Sequence, residues 1–175
     1  MRVIAGKYRG RILAEFKGRA VRPTSDRVKE SVFEILSRRF QGARVLDLFC
    51  GSGALGIESL SRGAEEVIFN DSSRESVLLT KKNLAALKCE GKVLQMDYAA
   101  ALGAVSGKFD LIFVDPPYSS GLYTRVLELI AQYDRLNTDG RVVCESEEEI
   151  AVPACYRIAD ARAYGRTRVT FLERI

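Results

Sequence analysis

The sequence contains no histidine and only four cysteines in 175 residues. The cysteines, Cys50, Cys89, Cys144 and Cys155, show no C-x-x-C spacing. Without histidine, a zinc site would need all four thiolates, so we expect no metal site. Buried, reduced thiols in a cytoplasmic protein are the simpler interpretation.

Long apolar runs are also missing. The longest ones are far too short to span a bilayer, and the chain reaches Arg2 and Lys7 before an apolar stretch could form a secretory signal. We therefore expect a cytoplasmic protein that has no membrane partner. The sequence shows no internal repeat, and its length fits one domain over residues 1–175.

The positive charge is concentrated near the start of the chain. Residues 1–30 hold nine basic and three acidic residues, a net charge of +6, so the remaining residues carry −2 of the overall +4. Such asymmetry favours a polyanion-binding extension on a near-neutral body, although a merely solvated basic end has the same composition. We predict that the RNA-binding residues are Arg2, Lys7, Arg9, Arg11, Arg22 and Arg27.

Between residues 42 and 144 apolar runs alternate with helical patterns. Runs that are apolar throughout indicate strands buried on both faces, as in a parallel sheet covered by helices. The predicted strands are Val45–Phe49, Val67–Phe69, Val93–Met96, Phe109–Val114 and Val142–Cys144. The predicted helices are Ala54–Arg62, Ser73–Leu87, Tyr98–Val105 and Tyr123–Tyr133.

The two ends of the chain have a different pattern. Residues 2–13 are basic and partly alternate between apolar and polar, which indicates a hairpin or an extended arm. Residues 22–26 are of the types found at helix N-termini, which predicts a helix that runs to about Phe40. Near the other end, two short strands at 156–159 and 169–172 flank a polar turn, which indicates an antiparallel hairpin. We therefore divide the domain into an extension, 1–41, and a core, 42–175.

A glycine-rich loop follows the first core strand. Gly51, Gly53 and Gly56 match G-x-G-x-x-G between a strand and a helix, so a nicotinamide dinucleotide must be considered. Asp47, which precedes the loop, distinguishes between a dinucleotide and S-adenosylmethionine as the cofactor. Its carboxylate would repel a diphosphate, whereas it can accept hydrogen bonds from the ammonium group of S-adenosylmethionine. This acid favours S-adenosylmethionine.

Acids also end the next two predicted strands. Asp71 can accept hydrogen bonds from both hydroxyl groups of a ribose, which would serve either cofactor. Asp97 could accept one from an adenine amino group, and a helix N-cap is nearly as good an interpretation of this residue.

The fourth predicted strand delivers Asp115-Pro116-Pro117-Tyr118. Two prolines fix the backbone, and neither has an N–H to pair with a carbonyl. An exocyclic amine is a poor nucleophile, because its lone pair is delocalised into the ring. Hydrogen bonds from this amine to the Asp115 carboxylate and the Pro116 carbonyl would steer the lone pair, while Tyr118 could stack on the base. The alternative interpretation is a rigid structural turn.

With these motifs, the chain resembles the RsmD family of 16S ribosomal RNA guanine-N2 methyltransferases. The resemblance covers nearly the whole chain and is strongest at 2–11, 22–30, 47–56, 115–118 and 164–167. It implies a class I methyltransferase fold, a Rossmann-like α/β sandwich. That fold has a mostly parallel seven-stranded sheet with an antiparallel C-terminal hairpin, preceded here by a small basic N-terminal hairpin and helix.

The resemblance also implies methyl transfer from S-adenosylmethionine to guanine N2 in 16S rRNA, in an assembled or partly assembled small subunit, and we expect a monomer. The predicted catalytic residues are Asp115, Pro116, Pro117 and Tyr118. The predicted cofactor-binding residues are Asp47, Phe49, Gly51, Gly53, Asp71, Asp97 and Tyr98.

Three other functions are compatible with some of these motifs. A DNA adenine or cytosine amino methyltransferase usually needs an added target-recognition region, for which no spare segment exists here. A nicotinamide oxidoreductase would leave residues 115–118 unexplained. A non-catalytic RNA-binding module would not need the glycine loop.

Overall fold

The computed structural model describes residues 1–16, 26–116 and 121–175. Its centre is one seven-stranded sheet with the strand order β3-β2-β1-β4-β5-β7-β6. The first five strands in this order run parallel to their neighbours, and β7 pairs antiparallel with both β5 and β6. This is the class I methyltransferase topology, so the predicted fold is confirmed.

The element bounds follow the apolar runs closely. The strands are β1 Arg44–Asp47, β2 Glu66–Asp71, β3 Lys92–Gln95, β4 Phe109–Val114, β5 Leu136–Ser146, β6 Tyr156–Tyr164 and β7 Thr167–Arg174. The helices are α1 Asp26–Ile35, α2 Ala54–Ser61, α3 Arg74–Leu87, α4 Tyr98–Ala104 and α5 Gly121–Gln132, with a 3-10 turn at Ser37–Arg39. None of the helices in the described part of the chain is long and apolar enough to cross a membrane.

The sheet separates two hydrophobic cores. On one face, α1, α2, α3 and the N-terminal arm, residues 1–16, pack against side chains such as Val45 and Phe113. On the other face, α4 and α5 pack against side chains such as Leu46 and Ile112. Because side chains alternate along a strand, residues two apart share a face. This alternation decides which acids at the end of the sheet lie together.

A buried ion cluster attaches the N-terminal arm to α2. The carboxylate of Glu58, fully buried, accepts backbone hydrogen bonds from Ile4 at 2.8 Å and Ala5 at 3.0 Å. It also pairs with the buried Lys29 of α1 and with Arg62. Burial lowers the pKa of Lys29, and the neighbouring Glu58 opposes that shift. The arm, α1 and α2 thus share one electrostatic anchor.

Some predicted bounds differ from the structure, most clearly at the first helix and at β5. The first helix ends at Ile35, because the 3-10 turn replaces its predicted last part. Strand β5 begins at Leu136, six residues before the predicted start, and its first residue pairs with Phe109 across an irregular register. The predicted N-terminal hairpin or arm is confirmed as a short hairpin: an antiparallel bridge joins Arg2 and Ile12, and the backbone N–H groups of Val3 and Leu13 donate across it to the carbonyls of Arg11 and Met1, both at 2.9 Å.

Candidate cofactor and catalytic site

The predicted site residues meet at the carboxyl edge of the parallel strands. In parallel sheets, this edge and the loops that follow it form the ligand crevice. Strand β1 ends at Asp47 and β2 at Asp71, while Asp97 and Asp115 follow the ends of β3 and β4. Because these four strands are neighbours in the sheet, the four acids border one crevice.

The glycine loop has the close approaches that its sequence predicts. Gly51 and Gly53 have φ of 54° and 80°, in the left-handed region that side chains rarely adopt. At Gly56, an added Cβ would lie 2.2 Å from the ring of Phe69, which is fully buried. Gly56 is therefore needed where α2 crosses β2, whereas Gly51 and Gly53 shape the loop.

Asp47 lies beneath this loop and is almost completely buried. Its Oδ2 accepts a 3.0 Å hydrogen bond from the backbone N–H of Gly56. Burial raises the pKa of Asp47 to about 7, and the nearby Asp71 adds to the rise, although the Gly56 hydrogen bond opposes it. A buried acid with this pKa gains from a cationic partner.

Asp71 braces the glycine loop from the neighbouring strand. Its two carboxylate oxygens accept hydrogen bonds from the backbone N–H of Gly51 at 3.0 Å and of Ser73 at 2.8 Å. Each carboxylate oxygen can accept a further hydrogen bond. Asp71 can therefore hold the loop and still bind two hydroxyl groups.

The third acid caps a helix. Oδ1 of Asp97 accepts a 2.8 Å hydrogen bond from the backbone N–H of Ala99, at the start of α4. The N-cap interpretation is therefore correct, while the exposure of this residue leaves its second oxygen accessible. Nearby, the rings of Phe49 and Tyr98 lie 5.8 Å apart between centroids, tilted by 38°. These rings border the crevice on the side of Asp97.

The chemistry of this crevice fits S-adenosylmethionine. The carboxylates of Asp47, Asp71 and Asp97 offer hydrogen-bond acceptors to it. The ammonium group, the ribose hydroxyls and the adenine amine of that cofactor are all donors. A diphosphate would meet three carboxylates here, which disfavours a dinucleotide.

Asp115 follows β4 on the face of the sheet that α1 covers, and Pro116 comes next in the chain. Alternation from Phe113 places the partly buried Asp115 on this face, and Pro116 is buried. Desolvation raises the pKa of Asp115 well above its usual value, and the neighbouring Glu145 and Asp47 raise it further. Pro117 and Tyr118 lie outside the described residues, so their predicted roles stay predictions.

Glu145 lies beside Asp115 and was not predicted from the sequence. The pairing of Val114 with Cys144 sets Asp115 level with Glu145 on the next strand, and alternation from Val143 puts Glu145 on the same face. The hydroxyl of Tyr123 donates a hydrogen bond to the Glu145 carbonyl, which ties α5 to this strand end. The only sequence signal was an acid directly after an apolar strand.

Two polar residues of α3, Thr80 and Asn83, were not predicted from the sequence and support the glycine loop. The Thr80 hydroxyl donates to the Gly51 carbonyl at 3.0 Å. Three residues on, Asn83 donates to the Ser52 carbonyl at 2.9 Å and accepts from the backbone N–H of Ala14 at 2.8 Å. Asn83 thereby joins the glycine loop to the N-terminal arm.

Asn70, also missed, joins the two loops on either side of β2. Its amide nitrogen donates to the carbonyls of Leu48 and Met96, both at 3.1 Å. Because these carbonyls follow the ends of β1 and β3, Asn70 fixes the spacing of the loops that carry Phe49 and Asp97. The signal in the sequence was a polar residue next to Asp71, within an otherwise apolar strand.

The predicted RNA-binding residues do not form one cluster among the residues that the structure describes. Lys7 and Arg9 lie at a turn that contacts Ser61 at the last turn of α2, and the Arg11 guanidinium donates to the Ala86 carbonyl near the end of α3. Both helices start at the carboxyl edge, so these side chains lie away from the crevice. Arg2 and Arg27 are exposed, and Arg22 lies outside the described residues.

A comparison with protein families gives a match over nearly the whole chain. Residues 1–173 match the family described as "Conserved hypothetical protein 95". A curated relative, ribosomal RNA small subunit methyltransferase D of Escherichia coli K12, is 35% identical over 87% of this chain and 78% of its own length.

Solved structures agree with this comparison. A protein of Thermus thermophilus is 26% identical, covers 99% of both chains and superposes with a TM-score of 0.84. The T. thermophilus 16S rRNA N2 G1207 methyltransferase, solved with AdoMet and guanosine, is 25% identical with a TM-score of 0.72. That match covers 91% of this chain and 45% of the other.

Proposed function

This chain belongs to the RsmD family, and on that premise we propose that it transfers a methyl group from S-adenosylmethionine to N2 of a guanine in 16S rRNA. The observation that carries the proposal is the position of Asp115, a partly buried acid after the end of β4, beside Asp47 and the glycine loop. The alternative is methylation of an amino nitrogen in another RNA or in DNA.

The cofactor is S-adenosylmethionine, as the sequence predicts, and it supplies an electrophilic methyl group on a positively charged sulfur. In our proposal, Asp47 neutralises the ammonium group and Asp71 accepts from the ribose hydroxyls. Asp97 accepts from the adenine amine. Gly51 and Gly53 allow the backbone to approach the cofactor, and Phe49 and Tyr98 border the adenine.

The chain's own part in the reaction is to position the amine. The Asp115 carboxylate and the Pro116 carbonyl accept the two N–H groups, which turns the nitrogen lone pair toward the methyl group. After transfer the nitrogen carries an extra proton. A carboxylate whose pKa is raised takes up this proton more readily than an ordinary aspartate does, so Asp115 can serve as the base.

The choice of rRNA is supported by the relatives' names and by the basic N-terminal extension. Relatives from both E. coli and Haemophilus influenzae are named ribosomal RNA small subunit methyltransferase D. Such an enzyme would meet its substrate as an assembled or partly assembled small subunit and could act as a monomer. These two points are part of the proposal.

Mass spectrometry of rRNA nucleosides tests the proposal directly. Cells that lack this chain should lose one N2-methylguanosine from 16S rRNA, and the purified chain should restore it to their small subunits when S-adenosylmethionine is added. If no guanine methylation changed but another methylated amine disappeared, the alternative substrate would be correct.

Cofactor affinity should depend on pH through Asp47. An α-ammonium group keeps its proton below about pH 7.7, so between about pH 5.5 and pH 7.5 the carboxyl groups of the site dominate. Because the pKa of Asp47 is raised to about 7, this acid must lose its proton before it can pair with the ammonium group. Affinity should therefore fall as the pH falls below about 7, by up to about tenfold per pH unit.

Calorimetry with S-adenosylmethionine measures this dependence, and Asp47→Asn is the matched variant. Its amide oxygen can still accept from the Gly56 N–H, but it does not titrate, so its affinity should be lower and nearly independent of pH in this range. NAD should give no heat with either protein. An equal pH dependence in both proteins would assign the titration to another group.

A further inference from the structure

The turn between β6 and β7 is a motif that the proposed function does not use. The registers place it at the carboxyl edge of the sheet. Asp115 is level with Glu145 of β5, and Glu145 pairs with Val169 of β7. From Val169 the chain needs only three residues to reach the turn at Gly165 and Arg166. At ordinary strand spacings, the turn lies about 10 Å beyond Asp115 along the strand direction and about 10 Å from it across the sheet.

The turn is built to be rigid. Tyr164 pairs with Thr167, so the loop has two residues, and Gly165 has φ of 62° while Arg166 has no positive φ. Glycine at the first of two loop positions is the pattern of a type II′ hairpin turn, whose twist matches its strands. The buried Thr167 and the partly buried Tyr164 fix the ends of the loop.

Helix α1 holds the same turn from outside the sheet. The hydroxyls of Ser31 and Tyr164 are hydrogen-bonded to each other. Arg27 precedes Ser31 by four residues, so the two side chains are neighbours on one face of α1. Arg27 and Arg166 consequently belong to one stretch of surface on either side of the Ser31–Tyr164 contact, which we call the turn surface.

The two arginines of the turn surface are exposed, and neither has an ion pair or hydrogen bond with the residues that the structure describes. Some other arginines of the hairpin are paired. Arg162 is paired with Asp160, and Arg157 with Glu173. Among the residues that the structure describes, therefore, none competes with an external anion for Arg27 or Arg166.

The surrounding charges indicate where a polyanion could lie. The acidic residues 147–149 follow β5 on the opposite side, where Thr124 of α5 donates to the Ala151 carbonyl. The basic turn at Lys7 and Arg9 lies toward the other edge of the sheet, against the end of α2. On the α1 side the exposed acids Asp26, Glu30 and Glu34 accompany Arg27, so a phosphate there would contact the guanidinium groups of Arg27 and Arg166 individually and not a wholly basic face.

We propose that Arg27 and Arg166 of the turn surface bind backbone phosphates of the rRNA next to the methylated guanine. This rests on the proposed function and deepens it, because it assigns the 164–167 motif to substrate binding. Arg166, at a turn about 14 Å from Asp115, and the exposed Arg27 across the Ser31–Tyr164 contact would fix the strand on one side of the target guanine. The basic N-terminal arm would then contact more distant phosphates.

The test uses Arg166→Ala and Arg27→Ala with small subunits from cells that lack this chain, and with deproteinised 16S rRNA in parallel. Each variant should raise KM for the RNA substrate on the order of threefold to tenfold and lower the slope of log affinity against log salt by about one. The kcat and the affinity for S-adenosylmethionine should stay near the wild-type values. Arg166→Lys should retain most of the salt slope, because the charge remains.

Arg38→Ala is the matched control, since Arg38 is exposed in the same N-terminal extension but lies in the 3-10 turn that leads to the opposite edge. If Arg166→Ala behaved like Arg38→Ala in KM and salt slope, the inference would be overturned while the proposed function stood. A wild-type chain that methylated neither substrate would overturn both. Thermal melts with cofactor binding establish that each variant is folded.

Discussion

Replacing Asp115 by alanine should abolish methyl transfer and leave cofactor binding nearly intact. The proposed partner of Asp115 is the target amine, whereas the cofactor's ammonium group belongs to Asp47. Loss of one preorganised hydrogen-bonding group at a reacting centre costs on the order of a hundredfold or more in rate. The raised pKa of this carboxyl means that the alanine variant also relieves an unfavourable desolvation, so its melting temperature should not fall.

Single-turnover methylation of small subunits measures the effect, and calorimetry measures cofactor binding. Asp115→Asn distinguishes the effect of hydrogen-bond acceptance from the effect of the negative charge. The amide oxygen of asparagine still accepts one hydrogen bond, but asparagine cannot take up the proton that the methylated amine releases. We therefore expect partial activity, and the methylation rate should rise less with increasing pH than it does in the wild type. Near wild-type rates for Asp115→Ala would return residues 115–118 to a structural turn.

The largest loss of stability should come from Glu58→Ala. This substitution removes a buried carboxylate that accepts from Ile4 and Ala5 and pairs with Lys29 and Arg62. Breaking a buried ion pair by removing one partner costs about 3–5 kcal/mol, because the remaining charge stays buried without compensation. For a chain of this length, the melting temperature should fall by on the order of ten degrees.

Two further variants test whether the loss of stability comes from the buried ion cluster and not from removing any charged residue of a helix. Glu128→Ala breaks an exposed pair with Arg125 and should change the free energy of unfolding by less than about 1 kcal/mol. The double variant Lys29→Met with Glu58→Leu should be more stable than Glu58→Ala, since it leaves no buried lysine without its carboxylate. Denaturant unfolding gives these values. Equal effects of Glu58→Ala and Glu128→Ala would show that the cluster does not anchor the arm.

Apolar periodicity predicted most of the sheet because the strands are buried on both faces. Strand β4, for example, is an unbroken run of buried residues from Leu111 to Val114. The first part of β5 escaped prediction for the opposite reason. Residues 137–139 are polar and mostly exposed, and they are a strand only because the neighbouring Phe109 pairs with Leu136.

Motifs in sequence order identified the acids of the site but not their supports. Asp47, Asp71 and Asp115 each end or follow an apolar run, so their common edge could be predicted from parallel topology. Glu58 and Asn83 act on backbone groups 53 to 69 residues away in the chain. No local pattern reveals such contacts. Their spacing on the helices is that of ordinary polar positions.

The packing of Phe69 imposes a rule on how this sequence can change over evolution. A Cβ at Gly56 would lie 2.2 Å from the Phe69 ring, and one at Gly91 would lie 2.6 Å from the same ring. One aromatic side chain therefore forbids side chains at two positions that are 35 residues apart in the sequence. Natural variants with alanine at position 56 should also carry a smaller residue at position 69. Substitutions at positions 56, 69 and 91 should therefore occur together.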